Sequence, residues 1–293
     1  MRYVKLAGGK SCPAIGLGTA GLLEDNCEQA VRWALDIGYR LIDTAWAYKN
    51  QSSIGRALRK SSIPRSEIFI STKIWRDNLN YDGVIEQCGQ ILNQLQVDYV
   101  DLLLTHWPSD AHIRARHEPT NITPLEETLS AFNEVYRQGK VRHLGVSNYD
   151  QDLLHQAQTL SKVPISVNQV HFHLPDSICT ENVSTSLLDT CQKSNVAVMA
   201  YCPLGSGWCP GKGSLLQSPI LAGIANQQGK TSAQIALKWA MNQGAIIIPK
   251  SGSEVHLRQN IDILDFDLLL SRCNCWIRFK QTPYQHLSVP ILT

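Results

Sequence analysis

Four ionisable side chains, Asp43, Tyr48, Lys73 and His106, stand at or just beyond short apolar runs that read as buried β-strands. The runs lie in YRLIDTAWAY (39–48), EIFISTKIW (67–75) and YVDLLLTHWP (99–108). A parallel strand covered on both faces is apolar along its length, and polar residues come where it opens into a loop. Side by side, three such strand ends would bring a carboxylate, a phenol, an amine and an imidazole to one mouth. A tyrosine titrates near 10 in water and is a reluctant acid at neutral pH. One ammonium about 4 Å away, at an effective dielectric near 20, is worth roughly 4 kcal/mol, which would lower the phenol by about 3 units. Lys73 is the candidate for that charge. Asp43 would keep Lys73 protonated and oriented, and His106 would point a neutral N–H at a carbonyl oxygen. With no serine or cysteine nucleophile beside a base, the set is suited to handing a proton to oxygen.

Each residue alone also has an ordinary structural use. An Asp closing a strand commonly caps a helix, and aromatic residues near a barrel mouth commonly pack. The joint pattern carries the functional reading, helped by a lysine directly after an apolar strand.

The elements that must position these groups alternate along the chain. Residues 3–15 read as a hairpin around Ala7-Gly8-Gly9-Lys10. Strands are expected at 15–18, 39–43, 68–72, 99–104, 141–146, 165–169, 196–200 and 245–248. Val84, Cys88, Ile91 and Leu95 share one helical face, as do Leu125, Leu129, Phe132 and Tyr136. Capping boxes are expected at Thr123-Pro124-Leu125-Glu126 and Thr231-Ser232-Ala233-Gln234. Strands alternating with helices at this count predict a closed (β/α)8 TIM barrel, an α/β fold, with an N-terminal β-hairpin. Two long connections, 107–121 and 202–218, follow strands and should overhang the mouth as pocket walls.

The whole chain of 293 residues fits one such domain. A net charge of +2 without a dense Lys/Arg run argues against a nucleic-acid surface. No apolar stretch reaches membrane-spanning length, and nine cysteines without a CxxC pair suit reduced thiols. The expectation is a cytoplasmic monomer acting on a small molecule. His171-x-His173 at a strand end prompts a metal-dependent hydrolase as one alternative, but neighbouring strand ends offer no further ligands beyond His106 and Asp43. No G-x-G-x-x-G follows a strand; an anion site is instead plausible in IPKSGSEVHLRQN (248–260), where Lys250, Ser251 and Ser253 precede a helix start.

With these residues placed, the chain closely resembles the aldo-keto reductases over residues 3–267. The matching strings are IGLGT, DTAWAY, FISTKIW, DLLLTHWP, GKVRHLGVSN, SVNQVHFH, AYCPLGSG and IPKS, in barrel order. The resemblance implies a catalytic tetrad of Asp43, Tyr48, Lys73 and His106, and NADPH as hydride donor for a small carbonyl substrate. It implies that Ser147, Asn148 and Gln169 hold the nicotinamide carboxamide and that Tyr201 stacks on its ring. It also implies that the 202–207 loop, with Leu204 and Ser206, straps the pyrophosphate. Lys250 and Ser251 would read the 2′-phosphate, with His256 where relatives carry a clamping Arg; Gln259 and Asn260 would meet the adenine. Trp75, His106, Trp107 and Trp208 are the candidate substrate walls. Ala20 replaces a common pocket aromatic and His171 a common Glu. A non-catalytic NADP(H)-binding barrel is the other alternative, prompted by an atypical tail at 268–293 that shows no clean period and is expected to pack poorly.

Overall fold

A computed structural model describes residues 1–109, 122–174, 185–205 and 215–268. Ten strands, β1 (Tyr3–Lys5), β2 (Ser11–Pro13), β3 (Leu17–Gly18), β4 (Leu41–Asp43), β5 (Phe69–Ile74), β6 (Leu102–Thr105), β7 (Leu144–Ser147), β8 (Ile165–His171), β9 (Ala197–Tyr201) and β10 (Ile246–Ile247), are found among them. β1 and β2 pair antiparallel, and the other eight form one parallel sheet in sequence order. Its two edges meet through bridges from Ile15 to Ile247 and from Gly18 to Lys250, so the sheet closes into the expected barrel. Helices α1 (Glu24–Ile37), α2 (Gln51–Lys60), α3 (Tyr81–Leu95), α4 (Leu125–Arg137), α5 (Gln151–Leu160), α6 (Thr185–Lys193), α7 (Pro219–Gln228), α8 (Ser232–Asn242) and α9 (Glu254–Ile261) follow the strands. Among the described residues no helix is long and apolar enough to cross a membrane.

The core has two layers. One fills the barrel interior, where Leu41, Leu102, Leu104, Val167, Met199 and Ile246 meet Leu6 and Cys12 of the hairpin. The hairpin therefore plugs the end opposite the strand C-termini. The other layer lies between strands and helices, where Ile42, Ile70, Leu103, Val146 and Ile247 meet Val31, Ile54, Ile91, Phe132 and Leu237. Alternate strand residues supply the two layers, as the pleat requires.

Several strands begin later than the apolar runs suggest, and some end later. β5 runs through Thr72 and Lys73, which pair in register with Leu103 and Leu104. A polar residue stays in a strand when the neighbouring strand continues its ladder, and composition alone does not show that. The helical face Val84, Cys88, Ile91 and Leu95 is buried as expected. In α4 Tyr136 is exposed and Val135 takes its place, because small Thr128 and Ala131 let the buried stripe rotate toward them. The box at Thr231 and Gln234 forms, but the one at Thr123 does not. The Thr123 carbonyl instead accepts from Ser109 Oγ at 2.5 Å, which draws this residue out of the cap position.

Candidate active site

β4 delivers Asp43 at its last residue, and the chain then turns through a 3-10 segment, Trp46–Tyr48, that carries Tyr48. Lys73 sits in β5 beside it, and His106 follows β6 directly. The Lys73 side chain is fully buried. Its ammonium donates to Asp43 Oδ2 at 2.7 Å and to the Thr44 carbonyl at 2.8 Å. Asp43 Oδ1 accepts from Ser71 Oγ and from Gln169 Nε2, both at 2.9 Å. Removing two charges from water is tolerable only with this degree of hydrogen bonding around them.

Tyr48 lies above the pair, with Lys73 Nζ 5.1 Å from its ring centroid. Edge contacts with His106 come from Tyr48 at 5.5 Å and from Trp75 at 5.3 Å between centroids. Burial pushes the Lys73 ammonium down, but Asp43, with help from Tyr48, more than reverses this and raises it. Burial, followed by the charge of Lys73, pushes His106 down to about 3, so its imidazole is neutral at ordinary pH. That agrees with the neutral donor expected from the sequence.

Tyr48 departs from expectation. Burial raises its phenol above the ordinary value; Lys73 pulls it down, Asp43 pushes it up, and the balance remains upward. The argument from one ammonium left out the desolvation of the phenolate. A phenol kept protonated at neutral pH carries a proton it can give up.

Asp43, Tyr48, His106, Trp107, Ser147, Asn148, Gln169, Tyr201, Leu204 and Lys250 line one cavity of about 490 Å³, as do Gly18, Ala20 and Cys202. One wall is knotted by amides. Ser147 Oγ donates to the Gln169 carbonyl at 2.8 Å, and Asn148 Nδ2 donates to the His106 carbonyl at 3.0 Å. Tyr201 OH donates to Asn148 Oδ1 at 2.9 Å, while the Tyr201 ring stacks on His171 with centroids 5.4 Å apart. Asn148 adopts a positive φ of 64°, a conformation Asn tolerates better than most residues. Trp75 packs edge-on against His106, its indole N–H donating to Asp77 Oδ2 at 3.0 Å, and does not line this cavity.

Ser251, His256, Gln259 and Asn260 lie further out, in and before α9, beyond the cavity wall. Ser251 and Asn260 are buried and His256 is exposed. Ser206 and Trp208, most of the 107–121 connection and the tail after Leu268 lie outside the described residues. Sequence reasoning missed Ser71, whose hydroxyl holds Asp43, and Thr44, whose carbonyl holds Lys73, together with the buried amides of Asn50 and Gln51 that hold Thr44 and Thr72. The one signal for Thr44 and Ser71 was a polar residue inside or beside an apolar strand; Asn50 and Gln51, at the start of α2, gave none. Among the described residues no group of three or more His, Cys, Asp or Glu is placed to hold a metal, so His171 and His173 gain no companions.

Comparison with known proteins gives the lineage. The family model for the aldo/keto reductase family matches residues 14–272. An aldo-keto reductase of Mycolicibacterium smegmatis is 37% identical over 267 residues, covering 90% of this chain and 88% of the relative. The glyoxal reductase of Bacillus subtilis is 33% identical over 266 residues, covering 90% and 88%. The Bombyx mori aldo-keto reductase in complex with NADP superposes with a TM-score of 0.80 at 31% identity, covering 91% of this chain and 88% of that one. The aldose reductase of Schistosoma japonicum gives 0.82 at 27% identity over 98% and 94%. Family match, identity over nearly the whole length and shared barrel agree: the chain is a member of the aldo/keto reductase family.

Proposed function

We propose that this chain reduces aldehydes and ketones to alcohols with NADPH, and that Tyr48 is the general acid. The observation that carries the reading is a fully buried Lys73–Asp43 ion pair beneath Tyr48, with a neutral His106 against the same phenol at one cavity. A buried ion pair is weak as a stabilising device, which favours a functional reason for this one.

The residues present suit a nicotinamide dinucleotide phosphate in their chemistry. Ser147, Asn148 and Gln169 offer amide and hydroxyl partners for a carboxamide, and Tyr201 offers an aromatic face. Lys250 offers an exposed cation on the cavity rim, with the start of α9 following it. When bound, such a group supplies the hydride. The chain's own residues do the rest. Neutral His106 donates to the substrate carbonyl oxygen and polarises it, and Trp107 and Leu204 keep that oxygen out of bulk water. Tyr48 passes its phenolic proton to the same oxygen as negative charge develops there. Lys73 stabilises the phenolate left behind, and Asp43 holds Lys73 in its charged form. Proton transfer of this kind contributes about 10²–10⁴ in rate.

The test is loss of NADPH absorbance with a panel of aldehydes and ketones, run for the parent and for Tyr48→Phe. Turnover by the parent and its near-abolition in the variant are expected. A parent inactive on the whole panel, while binding NADPH, would overturn the reductase reading in favour of a non-catalytic nucleotide-binding barrel.

A further inference from the structure

We infer that Asn50 and Gln51, the two residues that open α2 just after Tyr48, are positioning residues that fix where Tyr48 stands relative to Lys73. Resting on the reductase reading above, this assigns a role to side chains that touch no reacting atom.

Asn50 is 1% exposed and spends its whole amide on three partners. Its Oδ1 accepts from Thr44 Oγ1 at 2.9 Å, and its Nδ2 donates to the Thr19 carbonyl at 2.8 Å and the Leu22 carbonyl at 2.9 Å. Thr44 is the residue whose carbonyl holds the Lys73 ammonium. Thr19 borders the cavity and donates through both its hydroxyl and its N–H to the Asp43 carbonyl, at 2.9 and 3.0 Å. Gln51, also 1% exposed, links directly to the strand that carries the lysine. Its Oε1 accepts from Thr72 Oγ1 at 2.8 Å, one residue before Lys73, and its Nε2 donates to Gln94 Oε1 at 3.0 Å.

Two adjacent side chains therefore bind the segment that carries Tyr48 to the surroundings of Lys73: Gln51 directly to β5 at Thr72, and Asn50 to Thr44, whose carbonyl accepts from the lysine. Tyr48 itself hangs from a short turn closed by Lys49 at a φ of +54°, and no regular helix or strand holds it. A turn of three residues cannot keep a phenol in register with a strand by itself. The amides of residues 50 and 51 supply the cross-links that can. Because proton donation depends on sub-ångström placement, and a 1 Å error can cost about 10²-fold, the clamp should act on turnover rather than on cofactor affinity.

Thr44→Val and Thr72→Val each delete one clamp bond while leaving side-chain volume and backbone nearly unchanged. In each we expect kcat on a good aldehyde to fall about 10-fold, with NADPH affinity, read by fluorescence quenching, within about twofold of the parent. The alkaline limb of the kcat profile should move to higher pH as Lys73 loses its grip on the phenolate. Tyr48 ionisation can also be read without turnover, as the ultraviolet difference between a protein and its Tyr48→Phe counterpart, and should move the same way. That second readout decides the clamp even for a parent that reduces nothing, a result that would count against the reductase reading alone. An unmoved or lowered Tyr48 titration in both folded variants overturns the clamp. So does a kcat loss matched by equal loss of NADPH affinity.

Discussion

Replacing Lys73 by Met separates what the buried ammonium does for the fold from what it does for the proton. Lys73 is fully buried and its partner Asp43 is 2% exposed, so the single substitution strands a carboxylate with only the Ser71 and Gln169 donors left. Breaking a buried pair in this way costs about 3–5 kcal/mol of stability. The ammonium also stands 5.1 Å from the centroid of the Tyr48 ring. At an effective dielectric near 20 that separation is worth about 3 kcal/mol, or about 10²-fold in rate if the whole interaction is realised in the transition state. The double variant Lys73→Met/Asp43→Asn removes the stranded charge and should recover most of the stability. It should recover none of the lost turnover. Urea melts followed by circular dichroism give the first quantity, and single-turnover NADPH oxidation on folded protein gives the second. A double variant that reduces aldehydes within a few-fold of the parent would refute the electrostatic role of Lys73. A single variant as stable as the parent would refute the account of Asp43.

Tyr48→Phe should lower kcat by about 10²–10⁴ while NADPH affinity stays near that of the parent, and near-normal turnover would remove Tyr48 as donor. His106, held at about 3 in the fold, and His143, also lowered by burial, take up protons in the unfolded chain below about 6.5. For His106 the unfolded state therefore binds more protons in the window from about 6.5 down to 3, and stability falls as pH falls there by up to about 1.4 kcal/mol per unit, with His143 acting in the same direction. His106→Gln should flatten that slope in urea melts at stepped pH, and an unchanged slope rejects the assignment. Gly18→Ala would put a Cβ 2.5 Å from the Ile248 carbonyl oxygen, at the edge of the cavity. A loss of about 1–3 kcal/mol is expected from that overpacking, and a melt matching the parent's would show that the barrel edge yields freely.

How much of this was legible in the sequence follows from where each signal resides. The strand ends showed themselves because Asp43, Lys73 and His106 interrupt or follow apolar runs, and three such interruptions together outweigh the ordinary structural use of any one. The barrel was legible from alternation. The net direction at Tyr48 was not, because desolvation depends on what covers the phenol, and its covering residues come from distant segments. Asn50 and Gln51 were equally hidden, since an amide in the first turn of a helix reads as ordinary solvation until its partners are known. The missed cap at Thr123 has the same origin, as its carbonyl is claimed by Ser109 across a connection.

Closure of the barrel by Ile15 with Ile247 and Gly18 with Lys250 has a consequence for the order in which the molecule is made. The first barrel strand finds its second neighbour only when nearly the whole described chain has left the ribosome. The Tyr39 hydroxyl reaches the Leu257 carbonyl across a similarly long stretch of chain, at 2.9 Å. Contacts this distant in sequence slow folding, and until they form the nascent sheet carries two unpaired edges that invite association with other chains. Gly18 and Lys250 also border the cavity, so the pocket is completed by the same late event. On the proposed reading, a dinucleotide would lock a finished barrel against reopening, but would have nothing to grip while the barrel is being assembled.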